Sequence, residues 1–261
     1  MPFFIDIVLS HNLVTVYCYD KGTKVERHWR VSMKPLIRPI LVFAAIICVL
    51  SSKPGFAITE QEEMVQKAHI SVQKILQNDR IGTTVKDLLR QAKGVLIFPN
   101  LYKGALFFGA EGGSGVLMAK GASNRWSYPA FYFMGSGSFG LQIGAQSAEV
   151  MLIIMTERGL NAILRQKVKL GADVNAAIGP YGVGAKAGTT VNLGADILTY
   201  SVNQGAFAGF SFLGAVIYPR SKFTADYYGD KTAEAQSVVI EGRFRNPQAD
   251  ILRDSLFLPP N

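Results

Sequence analysis

The sequence predicts an α+β fold, in which a strongly curved antiparallel β-sheet or barrel-like sheet, rich in glycine, carries two N-terminal helices and one inserted helix. In the stretch Val168–Tyr218, bulky residues alternate with small or polar ones, and this period of two is typical of strands. Glycine is frequent in the same stretch and marks bulges and bends inside strands, so we expect strong curvature. Helical spacing of apolar residues before residue 95 and after residue 156 adds the helices.

Capping signals place the two N-terminal helices. Thr59 with Glu62 three residues later forms a capping box, and apolar residues at three- and four-residue spacing continue a helix to about Gln77. Thr84 gives a second start signal, and Gly94 stands where a C-terminal glycine ends a helix.

From residue 95 the apolar pattern changes to that of strands separated by turn signals. The predicted strands are Val95–Phe98, Gly104–Phe108, Ser114–Lys120, Ser127–Met134, Phe139–Gly144 and Val150–Met155. Pro99-Asn100 is interpreted as the turn that closes the first strand. Thr156–Gly159 caps the inserted helix, Ser221–Gly229 is predicted as a connection, and Pro247–Leu256 as a short closing helix.

Residues 33–57 have the layout of a secretory signal peptide. Two cations follow Met33, the run Pro39–Leu50 is apolar and uncharged, and Gly55 and Ala57 give small residues at the −3 and −1 positions. The apolar run is short for a bilayer span. The alternatives are a buried core helix or a short membrane anchor.

The domain prediction follows from this cleavage site. Residues 1–32 have no place in such a signal and are interpreted as upstream sequence from a misplaced start codon. A mature chain would begin at Ile58, with residues 58–256 as one domain and residues 257–261 as a tail.

Charge and cysteine content exclude several classes of function. Seven of the 27 Lys/Arg and three of the 19 Asp/Glu precede Ile58. The mature chain would therefore keep 20 basic and 16 acidic residues, and this mild excess of positive charge does not indicate a nucleic-acid partner. Both cysteines, Cys18 and Cys48, also precede Ile58, so the mature chain would have no disulfide and no cysteine metal site.

No catalytic or cofactor motif stands out. Gly135–Gly140 matches GxGxxG, but the residues that follow continue as strand, where a dinucleotide site needs a helix. His69 is the one histidine after Ile58, so no histidine pair is available for a metal. We therefore predict a protein that is not an enzyme and that has no cofactor or metal.

A basic ridge is the candidate binding site. Lys86, Arg90 and Lys93 recur at helical spacing on the second helix, and Lys67 and Lys74 add positive charge on the first. A solvated helix face is one interpretation. The other is contact with anionic phospholipid headgroups, where each cation contributes about 1 kcal/mol.

Several sequence blocks occur in an order and spacing that resemble the SYLF domain family, which includes the yeast actin-patch protein and its bacterial relatives. The blocks are Ala92–Pro99, Ser147–Val150, Met155–Leu160, Gly171–Pro180 and Tyr200–Ser211. The resemblance covers nearly all of the chain from Ile58 to Leu256.

The resemblance implies an exported phospholipid-binding module without catalysis, placed in the periplasm or cell envelope of a bacterium and associated with anionic membrane surfaces. Some eukaryotic members bind actin. Because of the export signal, and because the sequence shows no partner domain such as SH3, actin is not expected as a partner here. The alternative is a structural or stress-related envelope protein that acts through protein–protein contact or self-association; the lipid and the oligomeric state stay open.

Overall fold

A computed structural model describes residues 5–10, 13–20, 23–29, 58–105, 108–121, 124–139, 144–165, 167–179, 194–202 and 214–258. The chain divides into two compact units, Met1–Ala57 and Ile58–Asn261. In the first unit, β1 (Ile5–Ser10), β2 (Leu13–Asp20) and β3 (Thr23–Trp29) form an antiparallel meander. The predicted signal peptide, residues 33–57, lies outside the described residues, and the proposed start and cleavage positions stay predictions.

The second unit combines helices with a single sheet. Its helices are α1 (Glu60–Gln77), α2 (Gly82–Gln91), α3 (Glu157–Leu164), α4 (Ser221–Tyr228), α5 (Ala235–Val239) and α6 (Asp250–Leu256), with a 3-10 turn at Pro247–Ala249. Its strands are β4 (Gly94–Ala105), β5 (Phe108–Ala119), β6 (Ala130–Phe139), β7 (Gly144–Ile154), β8 (Val168–Lys169), β9 (Ala176–Ile178), β10 (Ile197–Val202) and β11 (Val216–Pro219).

These eight strands curl into a half-barrel in the order β8-β11-β6-β5-β4-β7-β10-β9. The α+β prediction with a strongly curved sheet is confirmed. The sheet is antiparallel except for the pair β9–β10, which is parallel, so it is mixed. Much of the glycine-rich stretch between residues 180 and 213 lies outside the described residues.

The predicted start of α1 is confirmed in detail. Glu62 donates its backbone N–H to the Thr59 hydroxyl at 3.2 Å, and Thr59 donates its own N–H to the Glu62 carboxylate at 2.9 Å. These contacts satisfy two amides that have no partner within the helix. The second helix starts earlier than predicted: its N-cap is Ile81, and Thr84 lies inside it.

Strand β4 runs straight through the predicted turn. Its register with β7 shifts between Phe98 and Leu101, and its register with β5 shifts between Ile97 and Tyr102, so Pro99 lies in a bulge. A bulge tolerates proline because the residue left unpaired there needs no N–H for the ladder. The interpretation of Pro99-Asn100 as the end of a strand was therefore wrong.

Glycines predicted to separate strands lie inside them instead. Gly112 and Gly113 fall within β5, and Gly135 falls within β6. A Cβ added to Gly113 would lie 2.3 Å from the Asn100 carbonyl oxygen, so glycine is required where β5 passes the bulge.

The predicted connection after residue 220 is a helix. In α4, Phe223 and Tyr227 stand four residues apart and both pack edge-on against Phe131 of β6, with ring centroids 5.1 Å away. Gly229 ends this helix in the left-handed region, at φ +67°. That glycine was the sequence signal for the helix.

The position of Phe131 shows which face of the sheet the helices cover. Side chains opposite each other on antiparallel strands lie on the same face, and Phe131, Val116 and Ile97 are aligned in this way. All three are buried. We call this side, on which α4 packs, the helix face.

Asp196 anchors α3 to the sheet. Its carboxylate is 3% exposed and accepts hydrogen bonds from the Thr156 hydroxyl (2.6 Å), the Asn175 amide (3.1 Å) and the Arg158 guanidinium. Thr156 in turn accepts the N–H of Gly159 and so caps α3. Burial raises the pKa of Asp196, but the hydrogen bonds outweigh it, and the pKa is held below its ordinary value.

Candidate functional site

The five predicted cations fall into two groups. Lys67 and Lys74 lie on α1, whereas Lys86 and Arg90 lie on α2. Lys93 was predicted on the same helix but lies two residues beyond its end. Their assignment to lipid binding stays a prediction.

On α1 both lysines are neutralised by carboxylates. The Lys67 ammonium is 2.7 Å from Glu63, and its hydrogen bond to that carboxylate raises the pKa of Lys67. The Lys74 ammonium donates to Glu149 of β7 at 2.5 Å. These two pairs contribute no net charge, so α1 is the weaker part of the predicted site.

Around α2 the balance is positive. Arg90 pairs with Asp87 at 2.7 Å, and Lys93 lies 3.2 Å from Glu157. Lys86 makes no ion pair within the part of the chain that the structure describes.

Lys120, which the sequence analysis missed, joins this group. Its ammonium donates to the carbonyl oxygens of Leu89 (2.7 Å) and Arg90 (2.8 Å), the last turn of α2, where a cation is favoured by the helix dipole. Burial lowers the pKa of Lys120 from its ordinary value of 10.5. The same ammonium lies 5.3 Å from the centroid of the Trp126 ring.

Trp126 links the basic helix to an exposed aromatic residue. Its indole N–H donates to the Leu256 carbonyl oxygen at 2.9 Å, which fixes the end of α6. A cavity of about 350 Å³ lies here. Its lining residues are Arg125, Trp126, Arg253, Asp254 and Phe257. The Phe257 side chain is 54% exposed.

We call the combined region the α2 surface. It consists of Lys86, Arg90, Lys93, Lys120, Arg125 and Phe257. Its five cations outnumber the three carboxylates beside them, which are Asp87, Glu157 and Asp254. The surface therefore has a net charge of about +2 next to an exposed aromatic ring, a combination suited to an anionic interface.

The part of the chain that the structure describes shows neither a metal-ligand cluster nor a membrane-spanning helix. Within the described ranges, no three His, Cys, Asp or Glu side chains come together as metal ligands. None of the helices described has the length and apolar composition that a membrane crossing requires.

Comparison with protein families gives a match over residues 135–256 to the family described as Ysc84, Las17-binding protein actin regulator. Residues 135–256 of the chain thus belong to the SYLF, or Ysc84, family. The family predicted from the sequence blocks is thereby confirmed.

Curated SYLF relatives are similar over part of their length. LAS seventeen-binding protein 3 of Saccharomyces cerevisiae is 31% identical over 166 residues, which are 62% of this chain and 36% of the yeast protein. SH3 domain-containing YSC84-like protein 1 of Xenopus laevis is 26% identical over 170 residues, which are 65% of this chain and 50% of the frog protein. The chain thus spans about a third to a half of these relatives.

The names of these SYLF relatives correct one prediction. The family is described as an actin regulator, and the yeast relative is named for binding LAS seventeen, so the expectation that actin is not a partner was wrong. That expectation was based in part on the predicted export signal, residues 33–57, which lies outside the region that matches the family. The yeast relative is named as a binding protein, and neither printed name states an enzymatic activity.

Proposed function

We propose that this chain is a non-catalytic binding module that associates with anionic phospholipid surfaces through the α2 surface. The observation that supports this most is the position of Lys120, which adds a fourth cation to Lys86, Arg90 and Lys93. Its ammonium lies between the end of α2 and Trp126, which lines a cavity together with Phe257. Export of the module belongs to the same proposal and is supported by the sequence of residues 33–57 alone.

The ion pairs around α2 leave these cations available to a membrane. Exposed pairs such as Lys93–Glu157 contribute at most about 1 kcal/mol, so a phosphate can replace the carboxylate at little cost. Each cation near an anionic membrane contributes about 1 kcal/mol, and insertion of Phe257 adds a hydrophobic term.

Vesicle co-sedimentation of the full chain tests the proposal. We expect the chain to sediment with vesicles that contain an anionic phospholipid and to stay in the supernatant with neutral phosphatidylcholine vesicles, because the attraction is electrostatic. Raising the salt concentration should release it, since screening weakens exposed charges. Equal binding to both vesicles, or binding to neither, would contradict the proposal.

A second candidate function is binding to a protein of the actin machinery. It is favoured by the names of the relatives, which include a LAS seventeen-binding protein and a family of actin regulators. Co-sedimentation with actin filaments separates the two candidates. Binding to filaments that occurs without lipid, and that added anionic vesicles do not reduce, favours the second.

A further inference from the structure

A groove on the helix face lies at the other end of β4 from the α2 surface. We call it the aromatic groove and define it by Tyr102, Phe133 and Tyr218. Tyr102 is 60% exposed and Tyr218 is 41% exposed, and the Phe133 and Tyr218 ring centroids are 5.4 Å apart. Tyr102 is eight positions along β4 from Gly94, which lies beside the α2 surface, and this offset amounts to about 25 Å of strand.

Register places the three aromatic residues across four adjacent strands. Tyr102 of β4 lies opposite Gly112 of β5, Gly112 lies opposite Gly135 of β6, and Phe133 of β6 lies opposite Tyr218 of β11. The side chains therefore share one face of the sheet.

Glycine makes the floor of the groove. A Cβ on Gly112 would lie 2.9 Å from Cζ of Phe133, and a Cβ on Gly135 would lie 3.1 Å from Cε1 of the same ring. The Phe133 ring therefore lies against two glycine backbones. The result is a shallow apolar floor with a tyrosine at each end.

The first half of α1 forms the wall. A cavity of about 440 Å³ lies beside Tyr102 and Phe133, and a second cavity of about 470 Å³ lies beside Tyr218. The wall residues are Glu60, Glu63, Met64 and Lys67, and Glu60 lines both cavities.

The most exposed charged side chain of this wall is a carboxylate. The Glu60 side chain is 66% exposed and lies 3.8 Å from Arg220, at the limit of an ion pair. Arg220 is 29% exposed, donates to the Ser114 hydroxyl at 2.9 Å and lies over the Phe223 ring. Glu63 is paired with Lys67. Glu60 is therefore the carboxylate most available to a cation from a ligand.

We propose that the aromatic groove binds an extended proline-rich peptide segment with a basic residue at one end. β4, β5 and β6 are paired on both sides, and β11 is paired with β6 and, at Val216 and Ile217, with β8, so most of the floor offers no open edge to which a peptide could add as a strand. A polyproline II segment needs no such pairing, because its backbone is solvated and its rings pack between aromatic side chains. The hydroxyls of Tyr102 and Tyr218 can donate to its free carbonyl oxygens.

The dimensions suit such a segment. Three strand spacings separate β4 from β11, which is about 14 Å at roughly 4.8 Å each. A polyproline II helix rises about 3.1 Å per residue, so the groove accommodates about five residues. Glu60, on the wall, would pair with an arginine just outside that core.

The test uses the full chain and a fluorescently labelled peptide that repeats Pro-Xaa-Xaa-Pro and ends in arginine. A control peptide has alanine in place of each proline. We expect the proline-rich peptide to bind, and the control to bind at least tenfold more weakly because its free backbone must be ordered. The variant Tyr102→Ala/Tyr218→Ala should weaken binding of the proline-rich peptide at least tenfold. Ile178→Ala, at an exposed apolar residue of β9 outside both surfaces, should leave that binding unchanged.

Further variants keep the test decisive if the alanine pair folds poorly. Glu60→Lys is expected to weaken binding of the peptide that ends in arginine several-fold. It should leave binding of a peptide that lacks the arginine unchanged. Undiminished binding in both the tyrosine and the Glu60 variants, equal binding of the two peptides, or no binding of either would overturn the proposal. So would a loss of binding to anionic vesicles as the main effect of the tyrosine changes, because the groove would then be a lipid site.

Discussion

Replacing Asp196 with alanine is expected to lower the free energy of unfolding by about 3 kcal/mol, measured by chemical denaturation monitored by circular dichroism. The carboxylate is buried and accepts hydrogen bonds from Thr156, Asn175 and Arg158, so its removal leaves donors without partners where α3 meets the sheet. Hydrogen bonds to a charged group contribute about 1.5 to 3 kcal/mol each, before relaxation.

Arg158→Ala is the matched control. The Arg158 side chain is 64% exposed, so its loss should cost less than about 1 kcal/mol, although it contacts the same carboxylate. Equal losses in the two variants would show that the ion pair, and not the buried carboxylate, stabilises this junction.

The pH dependence of the free energy of unfolding follows from the lowered pKa of Asp196. Because the pKa is lower in the folded state than in the unfolded state, the stabilisation is complete above the unfolded value of about 3.9 and is lost as the pH falls through the folded value. Below about pH 4 the difference in the free energy of unfolding between the wild-type chain and Asp196→Asn should therefore become smaller.

Reversing three charges, Lys86→Glu, Arg90→Glu and Lys93→Glu together, is expected to weaken binding to anionic vesicles at least a hundredfold. Each cation contributes about 1 kcal/mol at such a surface, and 1.4 kcal/mol is a factor of ten, so loss of three gives about two orders of magnitude before repulsion is added. The measurement is the partition coefficient from vesicle co-sedimentation.

Lys67→Glu with Lys222→Glu provides the control for this variant. Both lysines are exposed and paired with a carboxylate four residues away on their own helix, and both lie outside the α2 surface. We expect this control variant to weaken binding to anionic vesicles less than tenfold. If the control weakens binding as much as the triple variant, the net charge of the chain, and not the α2 surface, determines the affinity.

Local sequence signals predicted those parts of the fold that depend on local contacts. The capping box of Thr59 and Glu62 and the cap at Thr156 both work within four residues, and both are present. Pro99 misled the strand prediction because a bulge is stabilised by the neighbouring strands β5 and β7, which cannot be read from the two residues themselves.

The candidate site was only partly predictable for the same reason. The spacing of Lys86, Arg90 and Lys93 placed them together, as helical periodicity requires. Lys120 reaches the end of α2 only because β4 and β5 pair, and Phe257 approaches through the bond from Trp126 to Leu256, 130 residues apart in sequence. Such contacts arise from the tertiary fold and cannot be predicted from a local sequence pattern.

We propose that the α2 surface is the part of the molecule that enters an anionic membrane. An environment-sensitive fluorophore can be attached to a single cysteine in place of Phe257 or of Ile178, in a full chain whose Cys18 and Cys48 are changed to serine. The two positions are 54% and 56% exposed, so their labels start in similar solvent. On addition of anionic vesicles, we predict a blue shift and higher intensity for the label at residue 257 and no change at residue 178. A shift at residue 178 alone, or at neither position, would contradict the claim.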